Sequence, residues 1–131
     1  MVASSTFKKV KKHIVEHNRI LFSFCGKENG PFVIFSGGIH GNEPSGVLAL
    51  KNVFKELVQR NIMVNGSVLA FIGNRNALNK GQRYSTIDLN RLWTDENLKK
   101  LRTSGFADNE LNPDVIEMIS IDKLMQQFQN T

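Results

Sequence analysis

The sequence predicts an α/β fold in which a mixed, mostly parallel sheet is flanked by helices. Three short apolar runs have the length of strands, an amphipathic run separates the second from the third, and further helical runs follow. A strand, a helix and a second strand in that order indicate a right-handed crossover between parallel strands. The 131 residues, 40% of them hydrophobic, suffice for one such domain or for part of a larger one.

The first half of the chain contains all three predicted strands. Residues 19–24 and 31–36 flank a run of turn residues, which predicts a hairpin between them. The second run is apolar on consecutive residues, which indicates burial on both faces. Residues 44–60 form the clearest helix, and residues 67–72 form the third strand. The apolar positions of the helix follow a 3-4-3 spacing: Val47, Leu50, Phe54 and Leu57.

The second half is predicted to be helical and irregular. Residues 74–79 form a short helix, and residues 82–93 form an irregular polar segment. Thr94 caps a helix whose first turn is acidic and whose last turn is basic, an order that suits the helix dipole. Asn112 and Pro113 open a last helix. Its apolar residues lie roughly on one side: Val115, Ile116, Ile119, Leu124 and Phe128.

Charge is concentrated at the N-terminus. The net charge is +5, and residues 8–12 contain four of the lysines. Without them the balance is nearly neutral, so no basic face runs through the fold. We therefore divide the chain into a basic N-terminal segment, residues 1–18, and a domain, residues 19–131, and we expect no nucleic-acid partner. A small nucleic-acid-binding protein that uses this cluster is the rival interpretation, and a steep salt dependence of binding would support it.

Cysteine content and hydropathy bear on location. The one cysteine, Cys25, rules out an internal disulfide, and its place in an apolar run predicts a buried, inert thiol. No apolar stretch approaches the roughly 20 residues that span a bilayer. The N-terminus has charges but no apolar core of a signal peptide. We expect a cytoplasmic protein with no membrane partner.

Residues 37–46, with the sequence Gly-Gly-Ile-His-Gly-Asn-Glu-Pro-Ser-Gly, are the most informative segment. His40 and Glu43 lie three residues apart on a turn after a strand, where open α/β sheets place their sites, and could meet one divalent ion. Two alternatives stay open from these residues alone. Glu43 could merely favour a helix N-terminus, or the glycine turn could bind phosphate. Glu43 argues against phosphate because a carboxylate there would repel it.

A second segment, residues 83–91, reads Arg-Tyr-Ser-Thr-Ile-Asp-Leu-Asn-Arg. With the His-Gly-Asn-Glu-Pro turn, it resembles the succinylglutamate desuccinylase/aspartoacylase family, a branch of the zinc carboxypeptidase-like hydrolases. In that family the turn precedes a strand, a Gly-Asn pair, an arginine, and Asp-Leu-Asn-Arg with an aromatic residue two positions later. The matching residues here are 68–72, Gly73 and Asn74, Arg83, residues 88–91, and Trp93. The resemblance covers about residues 19–128.

The resemblance implies a zinc-dependent deacylase that hydrolyses an amide or ester bond of an N-acyl amino acid or a similar carboxylate-bearing substrate. It implies that His40 and Glu43 are zinc ligands and that Arg83 stabilises the oxyanion. It further implies that Asn90 and Arg91 bind a substrate carboxylate. A metal-activated water would be the nucleophile, and a planar guanidinium suits a carboxylate. Without the first motif, residues 88–91 would read as a capped turn with a surface arginine.

The family completes its zinc site with a second histidine and uses a later glutamate as general base, but no histidine follows His40 here. We therefore expect a zinc carboxypeptidase-like fold truncated at its C-terminus, with little activity alone and an exposed sheet edge that favours homo-oligomers. The rival is a non-catalytic remnant that binds a ligand or partner. The His-x-x-E-H spelling of residues 13–17 is read as surface histidines, because a lysine-rich run repels cations.

Overall fold

The computed structural model describes residues 18–26 and 29–129, in which two compact units can be distinguished. One unit contains Ser45–Ile72 together with the described residues that precede position 38. The other contains Gly38–Pro44 and the described residues from Gly73 onward. The predicted basic segment, apart from its last residue, lies outside the described residues, as does the histidine pair at positions 13 and 17.

The first unit is a three-stranded mixed sheet with one long helix. Its elements are β1 (Ile20–Cys25), β2 (Phe32–Gly37), α1 (Ser45–Gln59) and β3 (Ser67–Ile72). Strands β2 and β3 are parallel, as the intervening helix predicts, and β1 is antiparallel to β3. The prediction of a mixed α/β sheet is therefore confirmed, with one parallel and one antiparallel pairing.

The predicted hairpin between β1 and β2 is wrong. The strand order is β1-β3-β2, so that β3 lies between the two strands that are neighbours in sequence. The central strand is the one whose consecutive residues Leu69, Ala70 and Phe71 are buried. Turn residues between two apolar runs report that the chain reverses there, but they do not report which strand each run will pair with.

The core of this unit forms where α1 packs on the sheet. Phe22 and Phe24 of β1 are buried with Ala70 of β3, and the partly buried side of α1 covers them. The rings of Phe22 and Phe54 are stacked, with their centroids 4.9 Å apart. The predicted inner positions of the helix are confirmed: Val47 is buried, while Leu50, Phe54 and Leu57 are partly buried.

Two burial predictions for this unit are wrong. The side chains of Phe32, Val33, Ile34 and Phe35 in β2 are 38–46% exposed, whereas burial on both faces was expected. An apolar run does not distinguish a central strand from an edge strand, and β2 is an edge strand here. Cys25 is exposed rather than buried, because it is the last residue of β1, where it accepts a hydrogen bond from the Ser67 hydroxyl at 3.2 Å.

The second unit contains three α-helices and two short 3-10 helices among its described residues. These are α2 (Arg75–Lys80), a 3-10 turn at Leu89–Arg91, α3 (Asp95–Arg102), a 3-10 turn at Asp108–Glu110, and α4 (Pro113–Gln129). The predicted N-terminal cap of α3 is confirmed, since the Thr94 hydroxyl accepts from the Asn97 backbone N–H at 3.2 Å. The last helix begins at Pro113, as predicted, and the Asn112 side chain accepts from the backbone N–H groups of Asp114 and Val115 in its first turn.

Helix α4 buries a face slightly different from the predicted one. Val115 and Leu124 are buried as predicted, but Ile116 is 54% exposed. Met118 and Ile121 are buried instead, so the inner stripe follows a three-residue spacing. No helix in the part of the chain that the structure describes is both long and apolar enough to span a lipid bilayer.

Candidate metal and carboxylate-binding site

Residues 38–44 form a tight loop directly after β2, held in place within the second unit. Asn74 donates its backbone N–H to the Gly38 carbonyl at 2.8 Å, and Gly41 donates to the Arg83 carbonyl at 3.1 Å. A Cβ atom at position 41 would lie only 2.0 Å from the backbone carbon of Ala77. Glycine at this position therefore lets the loop contact the backbone of α2, and this contact fixes the loop that carries His40 and Glu43.

His40 is nearly buried, at 9% exposure, and each of its two ring nitrogens faces a different carboxylate. Nδ1 lies 3.5 Å from Glu43 Oε2, and Nε2 lies 3.0 Å from Asp88 Oδ1 and 3.1 Å from Asp88 Oδ2. An ionised carboxylate only accepts hydrogen bonds, so Nε2 carries a proton and donates it in a hydrogen bond to Asp88. In a neutral ring, Nδ1 then turns its lone pair toward Glu43.

The surroundings of Asp88 favour its ionised form. Burial opposes ionisation, but hydrogen bonds from His40 and from the Asn90 backbone N–H lower the pKa of Asp88 below its ordinary value, and the nearby Arg83 charge adds to this effect. Asp88 Oδ1 also accepts from Asn90 N at 3.0 Å and so caps the following 3-10 turn. Asp88 therefore holds both the imidazole and the segment that carries Asn90.

Arg83 joins the same cluster through the other carboxylate oxygen of Glu43. Its Nη1 donates to Glu43 Oε1 at 3.0 Å, and its Nη2 lies 3.8 Å from Asp88 Oδ2. Arg83 and Glu43 are both about half exposed, at 49% and 58% of the side chain. The guanidinium is thus accessible to solvent and placed next to the imidazole–carboxylate pair.

The His40–Glu43 pair has a spacing that fits a metal ion. Zinc binds nitrogen and oxygen at about 2.0–2.2 Å, so two tetrahedral ligands lie about 3.4 Å apart. The observed 3.5 Å between Nδ1 and Oε2 agrees with this separation. A lone pair and a carboxylate oxygen at that distance repel each other unless a proton or a cation lies between them. The chemistry of the donors therefore fits two ligands of a zinc site.

A third protein ligand is not found beside this pair. Within residues 18–26 and 29–129, no group of three or more His, Cys, Asp or Glu side chains is arranged to hold a metal. Asp88 is committed to Nε2 of His40 and to the capped turn. Catalytic zinc sites normally have three protein ligands and an open position. The described part of this chain therefore offers two candidate ligands.

The structure brings three of the five predicted site residues together by their side chains, namely His40, Glu43 and Arg83. Asn90 joins the cluster through its backbone N–H. Arg91 is exposed and forms no ion pair with any residue that the structure describes. Both lie on the 3-10 turn that Asp88 caps, so the two residues predicted to bind a carboxylate are anchored to the cluster by one side chain.

Asp88 is the functional residue to which sequence reasoning gave no role. Its position in the Asp-Leu-Asn-Arg segment and its type, a common cap residue, were visible in the sequence. No pattern signals that it meets an imidazole 48 residues earlier in the chain. Such a pairing of a carboxylate with a ligating histidine is common around metal sites, where it fixes the orientation and tautomer of the ring.

The sequence of this chain is similar to those of known proteins. A model of the "Succinylglutamate desuccinylase/Aspartoacylase catalytic domain" family matches residues 29–130. A succinylglutamate desuccinylase of Pseudomonas fluorescens is 26% identical over 102 residues, which cover 78% of this chain and 28% of that protein. One from Shewanella sp. is 33% identical over 70 residues, which cover 53% of this chain and 20% of that protein.

A solved structure shares the fold. The succinylglutamate desuccinylase of Chromobacterium violaceum superposes with a TM-score of 0.58 at 24% identity, over 77% of this chain and 30% of that one. A second, from Vibrio parahaemolyticus, gives a TM-score of 0.58 at 20% identity. The chain spans less than a third of the length of these relatives.

Proposed function

Because the chain belongs to the succinylglutamate desuccinylase/aspartoacylase family, we propose that it carries the N-terminal part of a zinc-dependent deacylase site. The substrate class is an N-acyl amino acid, such as the N-succinylglutamate in the name of its relatives. The observation that carries the proposal is the convergence of His40, Glu43, Arg83 and Asp88 within hydrogen-bonding distance.

Each side chain has a role that its geometry allows. His40 Nδ1 and Glu43 Oε2 would hold the ion, with Asp88 fixing the ring through Nε2. A bound zinc ion would supply Lewis-acid polarisation of the scissile carbonyl and would acidify a water molecule. Arg83, a fixed cation beside the pair, would donate hydrogen bonds to the oxygen on which negative charge develops.

Asn90 and Arg91 would bind the free carboxylate of the amino acid. The guanidinium of Arg91 is exposed and suits a bidentate interaction with a carboxylate. The 3-10 turn places both residues directly after Asp88, so that the carboxylate subsite and the metal ligand are connected through one side chain. An anionic amino-acid substrate would in this way be oriented with its acyl group toward His40 and Glu43.

For this 131-residue chain alone, we expect ligand binding with little or no hydrolysis. Two protein ligands hold zinc less firmly than three, and no third is found in the described part of the chain. That observation favours the second candidate function, a non-catalytic domain that binds carboxylate ligands. Robust zinc-dependent release of succinate by this chain would rule that candidate out and would require ligands from a second copy.

The proposal is tested by titrating the zinc-loaded chain with N-succinyl-L-glutamate and following backbone amide shifts by NMR. We expect shifts concentrated at Arg83, Asn90 and Arg91. Arg91→Gln should weaken binding about tenfold or more, since a charged hydrogen-bond partner is lost. Arg60→Gln is the matched control, because Arg60 is an exposed cation of the loop after α1, paired with Glu56. Equal affinity in both variants would contradict the carboxylate-binding role.

A further inference from the structure

Asp114, in the first turn of α4, is a fully buried carboxylate at 0% exposure. Its two oxygens accept four hydrogen bonds. Oδ1 accepts from the Asn74 amide at 2.8 Å and from Ser85 N at 3.1 Å. Oδ2 accepts from Thr86 N at 2.6 Å and from Ile87 N at 2.9 Å. One side chain thus satisfies three consecutive backbone N–H groups.

These N–H groups belong to the segment that connects two residues of the candidate site. Arg83 lies two residues before Ser85, and Asp88 directly follows Ile87. The segment is irregular, and the side chains of Thr86 and Ile87 are exposed, so little apolar packing holds it. Its backbone geometry therefore depends on the Asp114 carboxylate.

The same carboxylate is also joined to the start of α2. Asn74, which is fully buried, donates its side-chain amide to Asp114 while its side-chain oxygen caps the helix through Ala77 N at 2.9 Å. The backbone of Ala77 is the surface on which Gly41 lies. Two buried side chains, Asn74 and Asp114, therefore hold both parts of the candidate site in place. One part is the loop with His40 and Glu43, and the other is the segment with Arg83 and Asp88.

We infer that Asp114 is a positioning residue, which holds the backbone of residues 85–87 so that Asp88 reaches Nε2 of His40 and Arg83 reaches Glu43. The expected effect of Asp114 on zinc binding rests on the proposed function, whereas its effect on the backbone of residues 85–87 does not. Asp114 contacts neither proposed ligand and acts through the segment it holds. A residue with a merely structural role would lower stability without changing the site.

The test compares Asp114→Asn with Asp122→Asn. In the first variant, the new side-chain amide would turn one acceptor into a donor that faces backbone N–H groups. Asp122 is a matched control, since it is a nearly buried carboxylate of the same helix whose hydrogen bonds come from Arg102 and Gln126, both at 2.7 Å. Zinc affinity by calorimetry should fall about tenfold or more in Asp114→Asn, the range for lost outer-shell partners, and stay within about twofold in Asp122→Asn. Equal affinities would overturn the inference.

Amide hydrogen exchange of the wild-type chain without metal supplies a second measurement. It can be made even if Asp114→Asn does not fold. The amides of Thr86 and Ile87 should exchange at least about 100-fold more slowly than in an unstructured peptide, although their side chains are exposed. Exchange at unstructured rates would overturn the inference. Protected amides in a wild-type chain that binds no zinc would contradict the proposed function while supporting the positioning role.

Discussion

At the scale of single residues, the tautomer of the His40 ring would decide how the proposed site binds a metal. Nε2–H donates a hydrogen bond to Asp88, and this leaves Nδ1 to face Glu43 across 3.5 Å. A carboxylate behind a ligating histidine raises the basicity of the ligand and fixes the tautomer that binds metal. The site therefore depends on a residue that would not itself contact the ion.

Replacing Asp88 with asparagine should weaken zinc binding about 10–100-fold, since the neutral amide is a poorer acceptor for Nε2–H and no longer stabilises the required tautomer. The measurement is a calorimetric zinc titration of the 131-residue chain. Asp95→Asn, on the exposed first turn of α3, is the matched control and should bind zinc like the wild type. If Asp88→Asn also binds like the wild type, the orienting role of Asp88 is wrong.

Only some of the residues that form or support the site could be predicted from the sequence. His40, Glu43 and Arg83 were predicted from their motifs, and their side chains do meet. Asp114 was not predicted, because an acidic residue in the first turn of a helix is already accounted for by the helix dipole. That its carboxylate faces a segment 27–29 residues earlier is a long-range contact without a local signal.

At the scale of elements, local sequence patterns predicted helix starts and helix faces correctly, but they did not predict which strands pair. The Thr94 cap, the start of the last helix at Pro113 and the period of α1 depend on a few neighbouring residues, and the structure confirms them. The place of β2 at a sheet edge and of β3 at the centre depends on contacts between distant residues. Three apolar runs of similar length give no preference among strand orders, so the hairpin was the wrong choice.

The contact between the 38–44 loop and α2 gives a prediction about two glycines. Gly41→Ala would place Cβ 2.0 Å from the Ala77 backbone, so the loop must move. Gly81→Ala meets no atom within 4 Å and has only the left-handed backbone, at φ +62°, to oppose it, a cost of about 1–2 kcal/mol. We expect Gly41→Ala to lower the free energy of unfolding in urea by clearly more, and to weaken zinc binding as well.

Gly81→Ala serves as the matched control, because it ends the same helix, α2, without touching the loop. It should bind zinc like the wild type. Equal losses of stability in the two variants, together with unchanged zinc affinity in Gly41→Ala, would show that the loop does not depend on its contact with α2.

At the scale of the whole molecule, buried charge makes stability depend on pH. Burial opposes the ionised form of Asp114, but hydrogen bonds from Ile87 N, Thr86 N, the Asn74 amide and Ser85 N outweigh it and lower the pKa of Asp114. Because the folded-state pKa lies below the unfolded value of about 3.9, this group stabilises the fold above that pH. The contribution is lost as the pH falls through the folded-state pKa.

We therefore expect the free energy of unfolding to fall as the pH drops below about 4, and this acid-dependent loss to be smaller in Asp114→Asn than in the wild type. Urea unfolding between about pH 7 and about pH 3 measures it. Leu48→Ala is the control, because Leu48 is 57% exposed and carries no charge, and its acid dependence should match the wild type. An unchanged acid dependence in Asp114→Asn would mean that this carboxylate is not held in its charged form.

The fold class of the whole chain was predictable because the order of strand, helix and strand leaves few arrangements. The expectation of a homo-oligomer stays a prediction. It is compatible with the exposed apolar side chains of Phe32, Val33, Ile34 and Phe35 on the edge strand β2.

The most direct test of the central claim, that His40 and Glu43 are ligands of a metal ion, is a calorimetric zinc titration. The chain has three histidines, so the titration is made in a His13→Ala/His17→Ala background, with and without His40→Ala. We predict one zinc ion per chain, bound more weakly than at a three-ligand site, and no binding once His40 is replaced. Identical heats with and without His40 would contradict the claim.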